Sequence, residues 1–219
     1  MEAPQNDNKE NLVNKWTKCA LAVALATSST LAFAQTASSP SFDFISGGYL
    51  SADYEDESVN GFTASFSQSF GNDWFVTADY MTASEDYEEA LMDDIIYRAK
   101  AEISRLYGNV GYKFYNEGNT TAYVSGGLAW VEAVIKTDTF GDFGADETGW
   151  NLKVGVRNRF TDSLEVDASI RHYDVGNLDS QEISVAGRYF INSNVSVGLG
   201  YSIVSSEENH TFLTASYHW

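Results

Sequence analysis

Hydrophobic and polar residues alternate along most of this chain with a period of two. Side chains of a strand point to opposite faces in turn, so each such run has one apolar and one polar face. Ten runs follow one another, at residues 41–53, 60–70, 74–83, 98–115, 120–136, 148–160, 163–174, 181–190, 195–204 and 211–219. The clearest is 163–174, where Leu164, Val166, Ala168 and Ile170 oppose Glu165, Asp167, Ser169, Arg171 and Tyr173. In 195–204, Val195, Val197, Leu199, Tyr201 and Ile203 oppose Ser196, Gly198, Gly200 and Ser202. Run 60–70 sets Phe62, Ala64, Phe66 and Phe70 against Thr63, Ser65, Ser67 and Ser69. The pattern predicts an all-β chain.

A soluble sandwich would alternate as well. Two features favour a transmembrane antiparallel up-and-down β-barrel. Many polar faces carry only Ser, Gly and Thr, which suits a tight lumen better than a solvated surface. The connections also alternate in length. Short turns fall at 71–73, 116–119, 161–163 and 191–194, and longer or more acidic ones at 54–59, 84–97, 137–147, 174–180 and 205–210. Short turns on one rim and long loops on the other mark outer-membrane barrels, whose tilted strands need roughly 9–11 residues. An even count of ten strands puts both ends of the barrel at the short-turn rim; eight strands is the alternative count. Aromatic residues precede every short turn, at Phe70, Phe114 and Tyr115, Phe160 and Phe190, as an interfacial girdle would require.

Residues 1–34 read as a signal peptide ahead of a barrel at 35–219. Lys15 and Lys18 precede an apolar stretch from Cys19 to Ala34, which closes on Ala32-Phe33-Ala34 before Gln35. The polar residues before Lys15 are unusual for such a leader, and initiation further in, at Leu12 or Val13, would account for them. No stretch reaches the roughly 20 apolar residues of a spanning helix. Cys19 is the only cysteine, and Lys18 stands where a lipoprotein leader needs a small residue. The mature chain is therefore expected to lack disulfides and cysteine-bound metal, and no cofactor is expected. Residues 1–34 carry equal numbers of acidic and basic residues, so the whole net charge of −18 stays on the remainder. That balance excludes nucleic acid, whose phosphates demand basic neutralisation.

The last run ends Tyr217-His218-Trp219. Chain ends usually fray, so a Trp closing an alternating strand is expected to be held. Leader, amphipathic strands and this ending together resemble the small outer-membrane β-barrel family of Gram-negative bacteria, OmpA/OmpX-like, over essentially all of residues 41–219. The resemblance implies that Tyr217 and Trp219 match the signal read by the barrel-assembly machinery during insertion. It also implies a monomer in outer-membrane lipid and lipopolysaccharide, with both mature ends periplasmic. Ten strands depart from the eight of the smallest members.

Three kinds of chemistry are suggested by the residues. The outer loops are acidic and hold no Lys or Arg. Their densest cluster is Glu85, Asp86, Glu88, Glu89, Asp93 and Asp94, and such carboxylates are the oxygen ligands of Ca²⁺ or Mg²⁺. No spacing matches a known calcium loop, and a solvated, self-repelling surface is the simpler reading. Inside, Arg157, Arg159, Glu165, Asp167 and Arg188 fall on inward faces near the periplasmic rim. A turn centred on Asp162 sets Arg159 against Glu165 and Arg157 against Asp167. Buried charges need such partners, so this network is expected to plug the periplasmic half. Third, His172 near Asp174 gives a weak enzymatic motif, faintly like the His-x-Ser of a lipid A deacylase, but with Asp174 where the nucleophile would be.

The reading is a non-enzymatic outer-membrane barrel with a structural or surface-interaction role. A narrow, weakly cation-favouring, porin-like channel is the alternative. A lipid- or peptide-modifying enzyme is the third.

Overall fold

A computed structural model describes residues 39–219 apart from 55–56, 93–94, 138–140 and 206–207. The expected leader and its boundary lie outside the described residues, as do Glu55, Asp56, Asp93, Asp94, Asp138 and Glu207. Ten strands run in chain order: β1 Phe44–Tyr54, β2 Glu57–Phe70, β3 Trp74–Met92, β4 Ile95–Glu117, β5 Thr120–Thr137, β6 Phe143–Thr161, β7 Leu164–Val175, β8 Leu178–Phe190, β9 Val195–Ile203 and β10 Glu208–His218. Each is antiparallel to its neighbours. The ring closes through β1 and β10, from Phe44↔His218 to Tyr54↔Glu208. The barrel thus has the ten strands rather than the alternative eight.

The alternation turns each strand's apolar residues outward. Ile45, Phe62, Phe66, Leu128, Leu152, Val154, Ile170, Leu199 and Leu213 all stand exposed on the outer wall. So continuous an apolar surface marks contact with lipid or protein. At the short-turn rim the girdle is continuous in places. Phe70 stacks on Trp74 at 6.4 Å, Trp74 meets Tyr112 at 5.0 Å, and Trp219 lies 6.5 Å from Tyr217 and 6.1 Å from Phe66. Phe190 lies outside this girdle. It was expected in the girdle but is buried, because β8 sends its even-numbered residues inward; Tyr189 stands outside instead.

Three connections differ from expectation. Segment 84–97 is mostly paired strand, since β3 and β4 continue as one long hairpin with rows such as Glu85↔Ala101 and Asp86↔Lys100. β5 and β6 continue likewise to Ile135↔Phe143. Backbone pairing persists there after the apolar alternation has stopped, because a strand clear of lipid needs no apolar face. Between β7 and β8 the expected loop is a two-residue turn, Gly176-Asn177, closed by Val175↔Leu178. Gly176 has φ +59°, which a tight hairpin turn of this kind requires.

Gly149 pairs with Val175 at the last β6–β7 row, with the backbone of Asp174 close against it. A Cβ there would lie 1.8 Å from the Asp174 carbonyl oxygen, so any side chain must part the strands. Gly149→Ala is expected to cost about 1–3 kcal/mol, the usual range for overpacking. A fall in the urea midpoint for unfolding from vesicles reads this out; an unchanged midpoint means the strands yield freely.

Candidate functional site

The inward faces build the site. One wall, from β9 through β10 and β1 to β2, carries small residues such as Gly198, Gly200, Thr214, Ser216, Ser46 and Ser65. The facing wall on β6 to β8 carries most of the charges, and Asp79 on β3 adds another. Between them lies a chamber of about 170 Å³.

Nearest the short-turn rim, Arg157 Nε binds Asp167 Oδ2 at 2.9 Å and lies 3.7 Å from Glu165 Oε1. Arg188 Nη1 binds the same Glu165 oxygen at 2.8 Å. The Tyr123 hydroxyl donates to Asp167 at 3.1 Å. The register sets Arg157 opposite Asp167 and Arg159 opposite Glu165. Arg159 nevertheless stays out of the network. A bulge between Arg159 and Thr161 ends regular pairing at the rim. There the Arg159 guanidinium donates to the Asp162 carbonyl at 2.8 Å and lies 4.0 Å over the Phe190 ring. Glu165 keeps to its other neighbours: Arg188 and Arg157 share its Oε1, and its buried Oε2 has no hydrogen-bond partner.

Two further clusters escape a strand-by-strand reading. Arg171 on β7 reaches Asp79 on β3 at 2.7 Å and Glu182 on β8 at 3.4 Å, with its guanidinium 4.0 Å from the Tyr107 ring centre. Towards the long-hairpin rim, Arg105 on β4 binds Glu208 on β10 at 2.7 Å, and His210 shares that carboxylate at 2.8 Å. Parity in β7 marked Arg171 as inward, but nothing in one strand tells which distant strand supplies its partner. Among the described residues Lys153, also inward, has no direct hydrogen-bond or ion-pair partner. It balances the cluster from a distance, since three guanidiniums (Arg157, Arg171, Arg188) face four carboxylates (Asp79, Glu165, Asp167, Glu182). Apolar packing fills the lumen beyond, with Tyr107, Val131, Tyr173, Val175 and Val204 in one cluster and Leu50, Ala52 and Ala83 in another.

The remaining candidates are dispersed. Glu85 and Asp86 fall on opposite faces of β3, and Glu85 accepts from the Tyr87 hydroxyl at 2.8 Å. Positions 88 and 89 pair with Arg98 and Tyr97 in the hairpin. Among the described residues no three acidic, His or Cys side chains converge as a metal site. His172 faces away from the lumen, 5.1 Å from Trp150, with Nδ1 3.6 Å from Asp179. Ser196 and His218 do meet, at 2.9 Å, but both are buried and the other ring nitrogen has no partner, so no carboxylate orients the imidazole. Tyr217 and Trp219 point outward, and Trp219 Nε1 donates to Gln68 at 3.0 Å.

A closed ring of antiparallel strands, apolar outside and polar within, defines a transmembrane β-barrel. A family model described as the outer membrane protein beta-barrel domain matches residues 19–189. The chain belongs to that family, and its place is the outer membrane. The translocator domain of the autotransporter NalP from Neisseria meningitidis shares the fold. It has 8% identity and a TM-score of 0.51, over 99% of this chain and 100% of that one. Ail, the attachment invasion locus protein of Yersinia pestis, in complex with a heparin analogue, is 15% identical with a TM-score of 0.42 over 80% and 95% of the two chains. The porin NanC is 11% identical with a TM-score of 0.46 over 80% and 99%. No curated protein matches the chain in sequence.

Breaking one partner of a buried ion pair strands the other. Asp167→Ala is therefore expected to lower stability by about 3–5 kcal/mol. The double variant Arg157→Met/Asp167→Leu should lose much less than the two single changes together. Urea unfolding in vesicles measures both, and additive losses would refute coupling.

Proposed function

We propose that this protein is a monomeric outer-membrane barrel with a structural or surface-interaction role and a lumen closed by paired charges. The observation that carries this reading is the set of cross-lumen ties. Arg171 joins β7 to Asp79 on β3, and Arg105 joins β4 to Glu208 on β10. On a ring of ten strands these are nearly opposite walls, so each guanidinium is a bar across the bore. The short-turn rim and both ends of the barrel face the periplasm, in keeping with the brief turns and aromatic girdle there. Outward Tyr217 and Trp219 are then placed for the assembly machinery, and the apolar wall for lipid and lipopolysaccharide.

Surface interaction falls to the sheet that projects beyond the barrel. β2 pairs with β3 only up to Asn60↔Ser84, and β7 pairs with β6 only up to Gly149↔Val175. Beyond those rows β3 to β6 stand as a sheet of their own, with the edges at β3 and β6 unpaired among the described residues. Unpaired edges are templates for an added strand.

The second reading, a narrow cation-favouring channel, draws on the polar chamber. Planar-bilayer recording separates the two: the closed barrel gives no stable open level, and a steady conducting state would sink the plugged reading. Replacing residues 86–100 by a Gly-Asn turn is expected to leave folding intact, as heat-modifiable migration, and to abolish adhesion conferred on cells expressing the protein. Adhesion equal to the parent would remove the role of the projecting sheet.

A further inference from the structure

The chain does not enter the barrel along its wall. β1 begins at Phe44, and the residues before it turn across the short-turn mouth. Phe42 is only 2% exposed and sits between Phe75 of β3 and Tyr123 of β5, with ring centroids 4.6 and 5.4 Å away. The Arg157 guanidinium lies 4.2 Å from the Phe42 ring centre, and its Nη1 donates to the Ser41 carbonyl at 2.8 Å. Ser39 donates to Asn116 Oδ1, on β4, at 2.8 Å. The Ser67 hydroxyl donates to the Phe42 carbonyl. Only that last tie goes to a strand beside β1; the others reach β3 to β6, across the mouth.

The seat for Phe42 is built by glycine on the inner wall. A Cβ at Gly111 would lie 2.2 Å from the Phe75 ring, and one at Gly155 would lie 2.5 Å from the Tyr123 ring. A side chain at either position would drive those rings into the space that Phe42 fills. Phe42, Phe75 and Tyr123 together are the floor of the 170 Å³ chamber. At the base of the segment, the Asp43 carboxylate accepts from the Ser69 N–H and from Gln68 Nε2, which anchors the chain to β2. Above that anchor no residue from 39 to 43 takes part in a ladder row. Ser39–Phe42 can therefore leave the mouth without unpairing a strand.

We propose that Ser39–Phe42 form a retractable strap, hinged at Asp43, that closes the periplasmic mouth and controls access to the luminal chamber. The name of the side rests on the orientation proposed above; the strap itself rests on its own contacts. In the full chain with Cys19→Ala, Ser65→Cys places a single thiol in the chamber. A small cationic methanethiosulfonate reagent then reports access from solution. With Phe42→Ala the thiol is expected to react about tenfold faster than with Phe42 in place, as for a site freed from a local opening step. Phe42→Leu should stay close to the parent. Equal rates in parent and Phe42→Ala, both migrating as folded barrels, would overturn the strap. A second arm uses Ser39→Cys with Asn116→Cys in the same Cys19→Ala background. Mild oxidation is expected to join them, and failure to form that disulfide in the folded barrel also overturns it. If Phe42→Ala does not fold, this second arm decides. Bilayer recording of the parent protein tests the plugged reading separately, so either idea can fail alone.

Discussion

In hydrocarbon no water is available to an unpaired N–H or C=O, and each one left bare costs several kcal/mol. A strand there needs a neighbour on both sides. The only arrangement of strands that meets this is a ring, and here it is completed by pairing β1 with β10 along their length. The rest follows from closure. The outer face must be apolar to meet lipid, so the inner face receives every polar residue that the alternation leaves. Where lipid ends, the apolar requirement ends but the backbone still gains by pairing. β3 to β6 accordingly run on as a sheet whose residues have lost the alternation.

Closure also fixes the problem of the interior. A small barrel has just enough room inside for side chains, and charges placed there have little water to solvate them. The chain meets this by economy of partners. Arg157, Arg171 and Arg188 serve four carboxylates between them, with Lys153 balancing the remainder. Their donors reach across the bore as well as along a wall. The small-residue wall of β9, β10, β1 and β2 makes this reach possible, because long side chains on both walls would collide. The chamber is the volume left where that wall is shallowest. Its floor is aromatic rather than ionic, and one of the three floor rings comes from outside the ring of strands.

The sequence was most legible where a single strand states its own rule. Period-two alternation located all ten strands, and parity in β6 and β7 put Arg157 and Asp167 on the same inner row. It was least legible where a contact depends on the count and stagger of the whole ring. No local signal tells Arg171 that Asp79 lies opposite. Two departures from the simple pattern carry a local signal. Gly176-Asn177 between alternating runs is a two-residue hairpin signal, and parity in β8 already turned Phe190 inward. The long β3–β4 hairpin was hidden for a physical reason: outside lipid the strand keeps its hydrogen bonds but not its apolar code. Arg159 has the register partner that parity predicts but not the contact, because the bulge at the rim carries it to the turn.

Function divides along the same line as the fold. The part of the molecule that lipid constrains is largely used up in holding itself closed, since most of its inward charges are paired across the bore and its apolar residues face outward. The parts free of that constraint are the projecting sheet and the strap at the opposite mouth. The sheet has open strand edges and an acidic hairpin, and the strap is tied by side chains rather than by ladder rows. Neither is needed for closure of the ring. A barrel that only filled membrane would have no use for a glycine-backed aromatic seat at one end or an unpaired edge at the other. These are the places where a change in what the protein meets can be felt without disturbing the barrel that holds it.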